Sequence, residues 1–98
     1  MNAVLVRTKT FEKDVRKYFE HGGSDRRLSA ALYALASGKE LPPWFRDHQL
    51  QGKLRQCREL HVEEDWLLVY RKDGKKLIVT CLWLVSHKKL RERQRATL

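Results

Sequence analysis

Three of the four histidines in this 98-residue chain occupy positions from which they could move protons on a bound substrate. His48 lies in a long segment without a regular hydrophobic period, His61 lies on the polar side of a predicted strand, and His87 follows the last apolar strand. Because the imidazole pKa is close to neutrality, histidine suits acid–base catalysis. The fourth histidine, His21, precedes two glycines and is predicted to be an exposed residue at a helix end.

The sequence favours metal-free and cofactor-free chemistry. It contains no CxxC or HxxxH pair, no Gly-rich phosphate loop and no GxSxG motif. Cys57 and Cys81 lie far apart in apolar stretches, so we expect two buried, reduced thiols, with a single disulfide as the alternative. RNA cleavage without metal needs a base for the ribose 2′-OH, an acid for the 5′-oxygen and positive charge for the phosphorane. Histidines together with arginines can supply all three.

Two residues at the start of a predicted strand could assist the histidines. Asp65 could orient an imidazole through its carboxylate, although a turn position explains an aspartate equally well. Trp66 could stack on a nucleobase, but its parity with Leu68 and Tyr70 also fits core packing.

The charge balance points to a polyanionic partner. The chain has 21 Lys and Arg against 12 Asp and Glu, a net charge of +9. Nucleic acid, an acidic protein and an anionic membrane surface all fit that charge. The candidate RNA-binding cations are Arg55, Arg58, Lys88, Lys89 and Arg91. Arg58 has the opposite strand parity to His61, which would direct the two side chains to different faces.

The N-terminal half predicts one strand and a helical hairpin. Residues 3–6 form a short apolar strand, and Thr10 is a candidate cap for a first helix with an apolar stripe. Gly22 and Gly23 end that helix, and Ser24 or Asp25 starts a second helix that continues to residue 38. Residues 39–56 show no sustained period but contain aromatic residues, which argues for a functional connection and against disorder.

The C-terminal half predicts three strands. Residues 57–62 alternate between apolar and polar, residues 66–71 form a second strand that turns at Asp73-Gly74, and residues 77–85 are apolar on both faces, as in a central strand. The basic residues 86–98 predict a short helix or a frayed arm. We therefore expect one α+β domain over residues 1–98, in which a helical hairpin packs on a small, mainly antiparallel sheet in the order β-α-α-β-β-β.

Two spaced motifs resemble the YafQ branch of the RelE-like toxins. The first is DHxLxG over residues 47–52, and the second is RxxHVxxDWxLxY over residues 58–70; residues 41–42 and a later His87 also match. The resemblance covers residues 41–90, about half of the chain. One departure follows His87, where Leu90 is retained but Arg91 replaces the expected aromatic residue and begins a basic extension.

The resemblance implies the RelE-like fold and a ribosome-dependent mRNA endonuclease that is neutralised by a co-expressed antitoxin. Such toxins cut mRNA in the ribosomal A site and leave a 2′,3′-cyclic phosphate and a 5′-hydroxyl. Carried over to this chain, the catalytic set is His48, His61, Asp65 and His87, with Trp66 adjoining. His87 would be the general acid, and the base would be His48 or His61, with Asp65 as a further candidate.

Several alternatives remain open at this point. A ParE-like toxin would share the fold and act on gyrase, and a non-catalytic RNA-binding module would use the same basic surface. A small α+β domain of unknown role would satisfy composition and periodicity alone. An acidic antitoxin that folds on binding fits the +9 charge. The absence of a membrane-length apolar run or a signal-peptide pattern predicts a cytoplasmic protein, and residues 91–95 are predicted to contact rRNA phosphates.

Overall fold

The structure, a computed structural model, describes residues 2–97 and has a five-stranded sheet with helices on both faces. The elements are β1 (Val4–Arg7), α1 (Lys9–Glu20), α2 (Asp25–Ala36), β2 (His48–Gln49), β3 (Arg58–Glu63), β4 (Trp66–Asp73), β5 (Ile78–Val85) and α3 (His87–Thr97). This order confirms the α+β prediction. It adds the short strand β2 and resolves the basic tail as a helix.

The helical hairpin forms because its apolar residues recur at helical spacing between well-defined caps. α1 buries Phe11, Val15 and Tyr18 against the sheet. Gly22 leaves the helix at a φ of 83°, and a Cβ on Gly23 would lie 2.5 Å from the Tyr18 ring, so neither position accommodates a larger residue easily.

The predicted cap of α1 was wrong by two residues. Thr8, not Thr10, is the N-cap, and its hydroxyl accepts a hydrogen bond from the Phe11 amide at 3.1 Å. The same hydroxyl donates to the Cys81 carbonyl of β5 at 3.1 Å. This long-range hydrogen bond links the start of the helix to the sheet, which favours Thr8 over Thr10 as the N-cap. Ser24 caps α2 as predicted, with its hydroxyl accepting from the Arg27 amide.

The sheet has the strand order β1-β5-β4-β3-β2. β1 is parallel to its neighbour β5, and all other pairs are antiparallel. One face packs on the helical hairpin through a core that includes Leu60, Leu68 and Tyr70. The other face packs on α3 and on the segment before β3 through Leu67, Val69 and Leu90. β5 is therefore covered on both sides, as its continuous apolar pattern predicted.

The segment between α2 and β3 is more ordered than its sequence predicted. It contains 3-10 turns at Pro43–Phe45 and Gly52–Leu54, with β2 between them. His48 therefore lies on a strand and not in a loop. It pairs with Glu59 in the β2–β3 register, which fixes its position beside β3.

α3 is fastened to the sheet by the buried carboxylate of Asp14. β1 ends its pairing with β5 at Cys81, and beyond that point Asp14 accepts the Leu84 amide at 3.0 Å. Both terminal nitrogens of Arg93 donate to the same carboxylate at 2.7 Å. The Arg93 guanidinium also lies 5.4 Å from the Trp83 ring centroid. Asp14 thus joins α1, β5 and α3.

We expect Asp14→Ala to lower the free energy of unfolding by about 3–5 kcal/mol, because it leaves a largely buried guanidinium and a strand amide without their acceptor. Urea denaturation followed by circular dichroism measures the change. Glu20→Ala is the matched control: this exposed acid on the same helix should change stability by no more than about 0.5 kcal/mol. Equal stability of the two variants would contradict the role assigned to Asp14.

Candidate active site

Three imidazole rings gather on the α3 side of the sheet, where β3 ends and α3 begins. The His48 and His61 ring centroids lie 6.5 Å apart, and those of His61 and His87 lie 5.6 Å apart. Asp65 contacts His87 from the turn between β3 and β4. The structure therefore brings together all four residues of the predicted catalytic set.

His48 faces a hydrogen-bond acceptor at each ring nitrogen. Its Nε2 lies 2.7 Å from Oε1 of Glu59, and its Nδ1 lies 2.9 Å from the carbonyl oxygen of Arg46. A carbonyl oxygen and an ionised carboxylate only accept hydrogen bonds, so both contacts of His48 have the imidazole nitrogen as the donor. Glu59 is buried, and the alternation of β3 places it on the same face as His61.

His61 is the most enclosed of the three rings. Burial lowers its pKa, and the nearby positive charge of Arg46 lowers it further. His87 also acts in that direction, while Glu59 opposes it. His61 is therefore held in its neutral form more strongly than an exposed histidine at the same pH.

His87 is positioned by a helix start and an acidic side chain. Ser86 caps α3, because its hydroxyl accepts the Lys89 amide at 3.1 Å. Asp65 accepts the His87 amide at 3.0 Å and contacts ring Nδ1 at 2.5 Å through the same oxygen. The hydrogen bond from the His87 amide, followed by the one from its ring, makes the largest contribution to lowering the pKa of Asp65. The positive charge of Arg91 lowers it slightly further. An ionised Asp65 requires Nδ1 to be the donor, which leaves Nε2 directed away from this pair.

Arg58 does not reach the histidines, contrary to its predicted phosphate contact. Its guanidinium donates to Asp47 at 2.7 and 3.0 Å on the other face of the sheet, where the Tyr70 hydroxyl donates to the same carboxylate. This pairing raises the pKa of Arg58 and ties the segment before β2 to the sheet. The sequence parity of Arg58 had already indicated the opposite face, but the Asp47 partner was missed.

The other predicted RNA-binding cations differ in their distance from the histidine cluster. Arg55 is exposed near the opposite end of β3, away from the histidines. Lys88, Lys89 and Arg91 are exposed on the first turns of α3 beside the site, with Lys89 3.7 Å from Glu92. Of these predicted RNA-binding cations, the three on α3 therefore lie beside the histidine cluster.

Trp66 is half-buried on the helical-hairpin face. Its ring makes an edge contact with Tyr18 at a centroid distance of 5.1 Å and lies 6.2 Å from His21. It packs against the core of that face and remains partly exposed, so core packing accounts for its position. His21 is exposed and is the C-cap of α1, as predicted, with Nδ1 bonded to the Lys17 carbonyl.

Sequence comparison places the chain in a family. The model of the family described as "Bacterial toxin of type II toxin-antitoxin system, YafQ" matches residues 3–92. The chain belongs to the YafQ family of bacterial type II toxins. The motifs at residues 47–52 and 58–70 had indicated this family, and the match now extends over both halves of the chain.

Individual relatives agree with that assignment. The curated mRNA interferase toxin YafQ of Escherichia coli K12 is 46% identical over 68 residues, which cover 68% of this chain and 74% of the relative. YafQ in the E. coli DinJ–YafQ toxin–antitoxin complex superposes with a TM-score of 0.82 at 25% identity, covering 92% of this chain and 98% of the other. A copper-bound mutant toxin from Helicobacter pylori gives a TM-score of 0.79 at 36% identity, covering 92% and 99%.

The histidine cluster also includes polar residues that the sequence motifs did not indicate. Glu59 and Arg46 both contact His48, and Arg46 also acts on the charge of His61. Glu59 could have been found, because it lies two residues from His61 and therefore on the same strand face. Arg46 gave no such signal, because its φ of 50° places it in a turn without sequence periodicity.

Both cysteines lie outside the histidine cluster. Cys57 and Cys81 are buried free thiols, as expected, and burial raises the pKa of Cys81 to about 11. None of the helices in residues 2–97 has the length and apolar character needed to cross a membrane. Within the same residues, no group of three or more His, Cys, Asp or Glu side chains is placed to hold a metal ion.

The Asp65–His87 pair predicts a defined tautomer. Above the imidazole titration range, long-range ¹H–¹⁵N NMR should find the His87 proton on Nδ1, because the Asp65 carboxylate accepts there. Asp65→Ala should move that proton predominantly to Nε2.

His21 provides an internal control for this measurement. Its Nδ1 faces the Lys17 carbonyl, so its tautomer should not respond to the Asp65 substitution. A His87 tautomer that is identical in both proteins would contradict the proposed orientation of the ring by Asp65.

Proposed function

We propose that this chain is the mRNA-cleaving toxin of a type II toxin–antitoxin pair, acting in the cytoplasm on ribosome-bound mRNA without a metal ion. Its family membership and the name of its E. coli relative, an mRNA interferase, support RNA over gyrase as the target. The observation that carries the proposal is the cluster of three imidazoles in three different hydrogen-bonding environments. A non-catalytic binding module would not need three histidines with different hydrogen-bond partners.

His61 is the general base in this proposal. A base must be neutral before it accepts the proton of the ribose 2′-OH, and both burial and Arg46 favour the neutral ring. His48 is less suited to that task, because both of its nitrogens already face acceptors. Asp65 is also less suited, because its carboxylate is engaged by His87.

His87 is the general acid. Asp65 accepts its Nδ1 proton and stabilises the positively charged ring, while Nε2 carries the proton that is donated to the 5′-oxygen. The helix cap at Ser86 and the amide bond to Asp65 hold the ring in a fixed orientation. Precise orientation of the acid matters because the proton must arrive as the P–O bond breaks.

His48 supplies positive charge beside the reacting phosphate. When the ring carries both protons, Glu59 and the Arg46 carbonyl accept them and orient it to stabilise the phosphorane. Arg46 also places a guanidinium near His61. This assignment replaces the predicted contribution of Arg58, whose guanidinium binds Asp47.

The reaction is a proton-balanced transesterification. His61 removes the 2′-OH proton, the 2′-oxygen attacks phosphorus, and the bond to the 5′-oxygen breaks as His87 protonates that oxygen. The products are a 2′,3′-cyclic phosphate and a 5′-hydroxyl. His61 ends protonated and His87 ends deprotonated on Nε2, so solvent exchange restores both rings.

The exposed position of these rings supports a requirement for the ribosome. His48 and His87 are about half-exposed, and Asp65 is more exposed still. An open site positions a flexible RNA poorly by itself, whereas the ribosome presents mRNA in a fixed conformation. Lys88, Lys89 and Arg91 border the site and are suited to contact phosphates of ribosomal RNA.

An acidic antitoxin would neutralise the same surface. The E. coli relative has been crystallised in complex with its antitoxin DinJ. The net charge of +9 and the exposed α3 cations favour a partly disordered acidic chain that orders on binding. Coverage of the open histidine site would prevent mRNA from entering it.

The first test is primer extension on mRNA translated in a purified bacterial system. His87→Ala should reduce the cleavage rate by about 10²–10⁴-fold, the range for loss of a positioned general acid. His21→Ala is the matched control and should cleave like the wild type, because this exposed histidine is the C-cap of α1. Full activity of His87→Ala would exclude the assignment of the acid, and intact mRNA with the wild-type protein would exclude the proposed function.

A second test uses the pH dependence of single-turnover cleavage on programmed ribosomes at saturating toxin. The rate should fall as acid protonates His61, at a pH below the ordinary imidazole value of about 6.5 because the pKa of His61 is lowered. Arg46→Gln removes part of that lowering, so the fall should begin at higher pH. Arg26→Gln, a nearby exposed control on α2, should leave the profile in place. An acidic limb that is the same in all three proteins would argue against His61 as the base.

A further inference from the structure

A cavity of about 280 Å³ opens beside His61, between α2 and the 3-10 turn Pro43–Phe45. The proposed base His61 forms part of its wall, and the mechanism described above does not use the rest of the cavity. Its walls include Trp44, Arg27, Arg46, Glu63 and Glu64. When a substrate binds at His61, a neighbouring part of the same substrate can therefore enter this cavity.

Trp44 presents an aromatic surface at the mouth of the cavity. Its side chain is 73% exposed, although the neighbouring Phe45 is buried in the core. Its ring centroid lies 6.0 Å from that of Phe45, so one edge is supported while most of the indole faces solvent. An exposed indole at the wall of a cavity offers a flat apolar face on which a planar ligand can stack.

The charged groups of the cavity favour a nucleobase over a phosphate. Arg27 and Arg46 are balanced by Glu63 and Glu64, so the walls carry both hydrogen-bond donors and acceptors. Glu63 is fixed in place, since its carboxylate accepts the Ser24 amide at 2.9 Å and the Tyr18 hydroxyl at 2.5 Å. The Arg46–Glu64 contact is long at 3.8 Å and largely exposed, so both groups can turn toward a ligand.

We propose that this cavity binds a nucleobase of the mRNA adjacent to the cleaved phosphate, with the base stacked on Trp44. Arg46 and Glu64 then contact the polar edge of the base, where guanidinium and carboxylate groups discriminate between bases. The inference rests on the proposed RNA cleavage and adds a subsite to it. Trp44 is a substrate-binding residue in this scheme and takes no part in proton transfer.

The test compares cleavage by wild-type protein, Trp44→Ala, Trp44→Phe and Tyr33→Ala on the same translated mRNA. Trp44→Ala should raise the toxin concentration needed for half-maximal cleavage about tenfold, equivalent to about 1.4 kcal/mol. Trp44→Phe retains an aromatic plane and should remain within about threefold of wild type, because stacking tolerates a change of ring. Tyr33→Ala removes an aromatic side chain that is 79% exposed and does not line the cavity, so it should have no effect.

The distribution of cut positions gives a second readout. Loss of Trp44 should broaden the base composition next to the cut, whereas a merely destabilised protein would cut the same positions more weakly. Thermal unfolding by circular dichroism should give the same midpoint for Trp44→Ala and wild type, because the indole is mostly exposed.

The remaining outcomes overturn the proposal in distinguishable ways. Trp44→Ala with wild-type potency and the same cut positions would show that the cavity binds no base. Unchanged cleavage combined with weaker inhibition by the cognate antitoxin would assign Trp44 to the antitoxin surface instead. Absence of cleavage by the wild-type protein would reject the proposed function, and this inference with it.

Discussion

The carboxylate of Asp14 determines where the C-terminal helix lies, and the acid of the proposed reaction is the first residue of that helix. Asp14 is almost completely buried, and it is satisfied by one strand amide and two guanidinium nitrogens. A buried carboxylate without such donors would be strongly unfavourable. The protein therefore has an energetic reason to keep Arg93, and hence α3, in one place on β5. The position of His87 follows from this attachment together with the Ser86 cap and Asp65.

Three chemically identical side chains acquire different properties from their partners alone. His61 is half-buried beside a guanidinium, and both effects lower its pKa. His48 lies between a carbonyl oxygen and a carboxylate, one at each ring nitrogen. His87 has one nitrogen fixed by Asp65 and the other free. In the proposed mechanism a base, a stabilising charge and an acid therefore lie side by side, with neighbouring ring centroids 6.5 and 5.6 Å apart, because each imidazole has different partners.

Sequence patterns predicted those features of the fold that depend on local periodicity. The alternation in β3 placed His61 on a polar face, and the apolar run of β5 indicated a strand covered on both sides. Features that depend on long-range contacts were not accessible. β2 is two residues long and has no period of its own, and Thr8 is preferred over Thr10 because of carbonyls 73 residues away. The positions of Arg58 and Arg93 were likewise decided by Asp47 and Asp14, whose partners no local pattern identifies.

The high positive charge is therefore not a uniform RNA-binding surface. Arg58 and Arg93 are committed to internal carboxylates, whereas Lys88 and Arg91 on the outer side of α3 face solvent beside the histidines. The basic extension after Leu90 consequently combines two roles, because Arg93 holds the helix while Arg91 and Arg95 line a cleft with Lys53. Truncation after Leu90 would remove both at once, and weakened ribosome binding in such a protein would not separate electrostatics from the loss of Arg93. Substitution of Arg91 or Arg95 changes the charge without disturbing the Asp14 attachment, so it isolates the contribution of the surface.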